Sequence, residues 1–249
     1  MSERIQIGEV PIDKVDLAGA LAAIGGMIDA RAGGTIFTPN VDHIVQAESD
    51  ERFRRAYQRV SLSLVDGTPV LWAAQLLGRP LPAKVSGSDL VLPLMERAAA
   101  SGWRVFLLGG SVRSGEIATM RLKEQFPGLK IVGTEGPRID LGSALEERLA
   151  VARRVAEAAP DLVLVAFGAP KQEIFCDEAL DILKPAVLVC VGAGIDFVSG
   201  EARRAPAWMS RFGVEWLYRL AHEPRRLAGR YLLRDPQFVT ILLRQMLRG

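Results

Sequence analysis

Asp66 follows an apolar run, residues 61–65, and precedes Gly67. A carboxylate in that position either caps a turn or helix, or accepts a proton as a general base. Thr38 and Asn40 flank Pro39 at the end of another apolar run. Such a hydroxyl and amide can end a strand and cap the next helix, or point into one cleft and hydrogen-bond a ligand. Gln172 and Glu173 stand in the first turn of a segment with helical character opened by Pro170. The helix dipole accounts for Glu173 without any function, but nothing in that argument calls for Gln172. Glu173 is a second candidate base. Gly109, Gly110, Gly192 and Gly194, and Gly168 after Phe167, suit tight turns with positive φ. The same lack of a Cβ lets a phosphate approach backbone amides. Asp196 either pairs with Arg203 or Arg204, or receives ligand hydroxyls. His43 reads as packed or on a helix surface, and Trp208, Trp216 and Tyr218 as packing or interface residues.

Several familiar chemistries lack their residues. Position 197 is Phe, so Gly192-Ala193-Gly194 is not a dinucleotide fingerprint, and neither a P-loop nor a GxSxG elbow occurs. Only two histidines, no CxxC and no Asp-x-Asp argue against a resident metal. Backbone amides and arginines are then what could neutralise a bound phosphate.

These residues need elements to position them. Apolar runs at 35–38, 61–65, 104–108, 130–132, 162–167 and 187–191 read as strands, and none alternates cleanly. That is the pattern of parallel strands buried on both faces. Segments 41–59, 68–77, 88–100, 113–126, 143–159 and 171–183 have helical spacing. The alternation predicts an α/β fold with a doubly wound, mostly parallel, Rossmann-like sheet. Ligands in such sheets gather beyond the C-terminal strand ends, and all the candidates above follow a strand.

A length of 249 residues, 49% hydrophobic and only 6% aromatic, suits one such core. The longest apolar runs stop near eight residues, as at 186–193, against the ~20 that cross a bilayer. Two cysteines that read as buried thiols, Cys176 and Cys190, and a start without a signal-like segment lead to an expected cytoplasmic location. The net charge of +2 hides a division. From residue 203 onward ten arginines face three acids, a net +7, which leaves −5 for residues 1–202. The division predicts a core of 1–202 and a C-terminal, helical, Arg-rich appendage of 203–249, mobile and amphipathic, with a polyanionic partner. Interleaving of Arg219, Arg225, Arg226, Arg230 and Arg234 with Leu and Tyr favours an anionic membrane surface over nucleic acid.

The ordered set Thr38-x-Asn40, Val65-Asp66-Gly67, Leu107-Leu108-Gly109-Gly110, Phe167-Gly168-x-Pro170-x-Gln172-Glu173, Gly192-Ala193-x-x-Asp196-x-x-x-Gly200, Arg203-Arg204-Ala205-Pro206 and Gly213-x-Glu215-Trp216-x-x-Arg219 resembles the WecG/TagA/CpsF glycosyltransferases over about residues 5–240. The resemblance implies an inverting, metal-independent hexosyltransferase. It would use a UDP-sugar as co-substrate, with no cofactor, and a polyprenyl-diphosphate-linked sugar as acceptor. The hexose would be of the ManNAc, ManNAcA or glucose type, and the pathway cell-surface polysaccharide synthesis on the inner face of the plasma membrane. By the same resemblance Asp66 is the catalytic carboxylate and Thr38 and Asn40 lie in the active site. It also puts the Gln172–Glu173 motif at the active-site rim and has Arg219, Arg225 and Arg226 close the site while the appendage docks on membrane; with the strand-end reading above, Gly67, Gly109, Gly110, Phe167, Gly168, Gln172, Glu173, Gly192 and Asp196 are the expected substrate-binding residues. A homo-oligomer is compatible with it. The residues alone also fit a nonenzymatic nucleotide- or sugar-binding module recruited to membrane by its basic tail.

Overall fold

The computed structural model describes residues 3–206, 209, 215–222, 229 and 234–247. It opens with elements that the apolar pattern did not show. A hairpin, β1 (Arg4–Ile7) and β2 (Val10–Asp13), turns at Gly8 and is followed by helix α1 (Leu17–Asp29). Asp16 caps α1 by accepting from the amide of Gly19 at 2.8 Å.

The main sheet has six strands: β3 (Gly34–Phe37), β4 (Leu62–Ser63), β5 (Arg104–Gly109), β6 (Lys130–Glu135), β7 (Leu162–Ala166) and β8 (Val187–Cys190). Their order is β4-β3-β8-β7-β5-β6, and every neighbouring pair is parallel. Side-chain alternation sorts each strand between two apolar layers. Phe106, Leu108, Val163, Val165, Leu188 and Cys190 face one layer. Val105, Leu107, Leu162, Leu164, Val187 and Val189 face the other. Both faces are covered, so the strands carry no polar side and no clean alternation.

Helices α2 (Val41–Ser49), α3 (Glu51–Gln58), α4 (Thr68–Leu76), α7 (Leu145–Glu157) and α8 (Lys171–Leu183) lie on the first face with the hairpin. On the second lie α1, α5 (Gly87–Ser101), α6 (Val112–Gln125) and α9 (Gly194–Ser199). The single helix expected over 41–59 is two. Asp50 ends α2 with extended backbone and caps α3 by accepting from the amide of Phe53 at 3.0 Å.

The appendage contributes α10 (Glu215–His222) and α11 (Gln237–Met246). The second of these is docked on the body. Phe238 and Ile241 enter the first apolar layer, and Arg244 pairs with Glu48 of α2. Gln245 accepts from the amide of Gly8 at 3.0 Å and donates to the carbonyl of Gln6 at 2.7 Å. An apolar helix face with matched partners on the hairpin explains why this end of the chain packs. Within the expected appendage of 203–249, α11 is thus packed on the body.

Candidate active site

The doubly wound order brings the strand ends carrying the candidate residues to one edge. Reading across β4, β3, β8, β7 and β5, the residues just past the strands are Asp66 and Gly67, then Thr38 and Asn40, Gly192, Phe167 and Gly168, and finally Gly109 and Gly110. Helices α2, α4, α6 and α8 begin directly after these turns. Their N-terminal amides and dipoles make the edge favourable for anions.

At the β4 and β3 ends the chain segments are tied together. The amide of Asp66 donates to the carbonyl of Pro39 at 2.8 Å, and a Cβ on Gly67 would touch that of Asn40. Asp66 is half-buried and Thr38 buried. Asn40 caps α2, its side-chain oxygen accepting from the amide of His43 at 3.4 Å. Gly67 needs its positive φ of 102° to turn the chain from β4 into α4.

At the β8 and β7 ends Gln172 acts as a strut. Its Nε2 donates to Glu173 Oε1 at 2.8 Å, and its Oε1 accepts from the amide of Gly192 at 3.3 Å. Phe167 packs edge-on against Phe175, 5.3 Å between centroids, and so fixes the turn before α8. Gly168 and Gly192 have positive φ, and a Cβ on either would meet nothing within 4 Å. Their open side is where a ligand could approach backbone.

Glu173 lies beneath this edge, fully buried. Desolvation raises its carboxyl to about 7, the hydrogen bond from Gln172 opposes the shift, and the charge of Asp42 adds to it. Its Oε2 has no hydrogen-bond partner among the described residues. His43 Nδ1 sits 3.9 Å from Glu173 Oε1 and 2.8 Å from the Tyr57 hydroxyl. Burial, then Glu173, Cys190 and Asp66, push the Tyr57 phenol well above its usual range. His43 is therefore packed, one of the two placements the sequence left open, and Glu173 is a buried partner of Gln172 with no exposed carboxylate to offer an acceptor.

At the β5 end, Gly110 abuts Asp196: a Cβ there would lie 3.1 Å from Asp196 Oδ1. Asp196 accepts from Ser114 Oγ at 2.6 Å, and not from an arginine as one reading of the sequence had it. Arg204 instead binds Asp89 Oδ1 at 2.9 Å and stacks over Phe197. Gly109 is explained by packing alone, because a Cβ would fall 2.5 Å from the carbonyl oxygen of Ala166.

The backbone of Arg219 belongs to α10, but its side chain, and Arg225 and Arg226 entirely, lie outside the described residues. Two contributors went unnoticed in the sequence. Tyr57 comes from α3, behind the edge. Gly87 opens α5, where a Cβ would collide with the backbone of Cys190 and Val191 and come 3.2 Å from Thr38 Oγ1. The signal was present: Ser86-x-x-Asp89 marks a helix start, and Ser86 Oγ accepts from the amide of Asp89 at 3.2 Å. Among the described residues no group of three or more His, Cys, Asp and Glu is placed to hold a metal, and no helix is long and apolar enough to cross a membrane.

Comparison with known proteins adds to the geometry. The model of the glycosyl transferase WecG/TagA/CpsF family matches residues 5–249. An N-acetylglucosaminyldiphosphoundecaprenol N-acetyl-beta-D-mannosaminyltransferase of Bacillus spizizenii strain W23 is 32% identical over 217 residues, 87% of this chain and 81% of the relative. The protein of the same name from Bacillus subtilis strain 168 is 29% identical over 218 residues, 88% and 82% of the two chains.

Proposed function

The chain belongs to the WecG/TagA/CpsF family of glycosyl transferases, and on that premise we propose that it moves a hexose from a UDP-sugar to a polyprenyl-diphosphate-linked sugar, with inversion and without a metal. The relatives' names point to N-acetylmannosamine as the sugar moved and an N-acetylglucosaminyl diphosphoundecaprenol as acceptor. The observation that carries the mechanism is Asp66, half-buried at the end of β4, with Thr38 and Asn40 at the end of the adjoining β3.

Asp66 takes the proton of the acceptor hydroxyl as that oxygen bonds to the anomeric carbon from the face opposite the leaving group. The bond to UDP breaks and the electron pair leaves on the diphosphate. Helix N-termini and glycine-turn amides along the edge meet that charge, and Arg219, Arg225 and Arg226 are our candidates for the remaining neutralisation. Thr38 and Asn40 orient sugar hydroxyls, and the Gln172 strut holds the Gly192 turn where the donor lies. The same arginines draw the protein to an anionic membrane surface at ~1 kcal/mol each.

Substituting Asp66→Asn tests the reading. Turnover of UDP-N-acetylmannosamine with a polyprenyl-diphosphate-GlcNAc acceptor should fall about 10²- to 10⁴-fold, with UDP affinity by calorimetry and thermal melting near wild type. Turnover close to wild type sinks the assignment of the base.

A further inference from the structure

Helix α4 starts at Thr68, just past its cap Gly67 and two residues past Asp66, and among the described residues only one of its sides is packed. Val70, Ala73 and Ala74 enter the apolar layer. The other side carries Thr68, Trp72, Gln75, Leu76 and, just beyond the helix, Arg79, spaced by three and four positions so that they form one stripe. A solvent-facing stripe is ordinarily polar. Here Trp72 is 57% and Leu76 61% exposed, and no acid occurs from Gly67 to Ser88, although Arg79 and Lys84 do. Lys84 lies at the same strand end as Asp66, because the amide of Val85 donates to the carbonyl of Val65 at 2.8 Å.

We propose that this stripe receives the first isoprene units of the acceptor lipid as the chain leaves the active site. The inference rests on the reading above, in which the acceptor is a polyprenyl diphosphate. Its shape follows from where the stripe starts and how far it runs. Thr68 is at the mouth of the site, and Trp72 and Leu76 follow at one and two helical turns, about 6 and 12 Å along the axis. Two large side chains one turn apart offer far less than the ~800 Å² per side that a stable protein partner buries. They do match a narrow apolar chain. The absence of acids and the positions of Lys84 and Arg79 complement a lipid whose head is a diphosphate and whose tail is hydrocarbon. An indole flank also suits the boundary where such a lipid passes from polar to apolar surroundings.

The test uses the full chain with Trp72→Ser and Leu76→Ser combined, and two acceptors with the same GlcNAc diphosphate head. One carries a long polyprenyl chain in detergent and the other a short, water-soluble alkyl group. The variant should raise KM for the long-chain acceptor about tenfold and leave KM and kcat with the short one within about twofold. An equal change with both acceptors, or none with either, overturns the proposal. So does loss of flotation on phosphatidylglycerol vesicles that contain no acceptor, which would make the stripe a bilayer contact, or a change in sedimentation, which would make it a contact between copies. If wild-type protein transfers sugar to neither acceptor, the functional reading fails by itself. Calorimetric binding of the two acceptors, which needs no turnover, then still decides the stripe: an unchanged preference of the variant for the long chain overturns it.

Discussion

Glu173 carries its proton to unusually high pH because burial disfavours the carboxylate. Between about 4.5 and 7 the folded chain keeps a proton here that the unfolded chain has released. The stability this site contributes is therefore complete below the unfolded value and lost as pH rises through about 7. Substituting Glu173→Gln removes that dependence. Compared by urea denaturation at pH 5 and pH 8, the variant should gain on wild type toward pH 8, by up to about 3 kcal/mol for the full shift. The Gln172 bond survives in the variant, since the new amide still offers an oxygen. Sequence reading could single out Gln172 and Glu173, because both follow Pro170. It could not foresee that both would be buried, with Glu173 beside His43 from α2, because these are tertiary facts. Asp66, Thr38 and Asn40 could be brought to one edge for a different reason, since each lies within three residues of a strand end, and strand ends in a parallel sheet share an edge.

At the scale of elements, the strand and helix pattern from residue 35 onward gave the fold, because β-branched and Leu-rich runs of four to six residues have few other uses. It missed what depends on single polar residues. Asp50 splits α2 from α3 within an otherwise continuous helical spacing, and the hairpin and α1 are too short or too weakly patterned to stand out. The turn glycines also differ in kind, which their spacing does not reveal. Gly109→Ala would push a Cβ against Ala166 at a φ of 114° and should destabilise the fold by about 3 kcal/mol. Gly192→Ala meets open space at a φ of 54° and should cost about 1 kcal/mol. UDP titration should show the larger loss of affinity in the Gly192 variant when its melting temperature is nearly intact, as close approach of a ligand to that turn requires.

For the whole molecule, the docked α11 makes the two ends of the described chain a single unit. Phe238→Ala should speed hydrogen exchange in α11 and also at the amide of Gly8 in the distant hairpin, since Gln245 accepts from it. Exchange confined to α11 would show that the hairpin stands alone. The charge division into a −5 body and a +7 tail was readable by counting, but the tail's attachment was not, because Phe238 and Ile241 look like any amphipathic helix until a partner face is known. Arg225→Glu with Arg226→Glu leaves α11 in place and should weaken sedimentation with anionic vesicles by at least tenfold at low salt. Unchanged sedimentation would remove the membrane role of these arginines.

The anchors on either side of those arginines add one more consequence. Arg204 is fastened to Asp89 in the first turn of α5, and Arg234 to Asp42 in the first turn of α2, 3.2 Å away. Both helices begin at the edge where the candidate residues gather. Both pairs are part-exposed, so added salt weakens these two contacts of the appendage while Phe238 and Ile241 keep α11 seated.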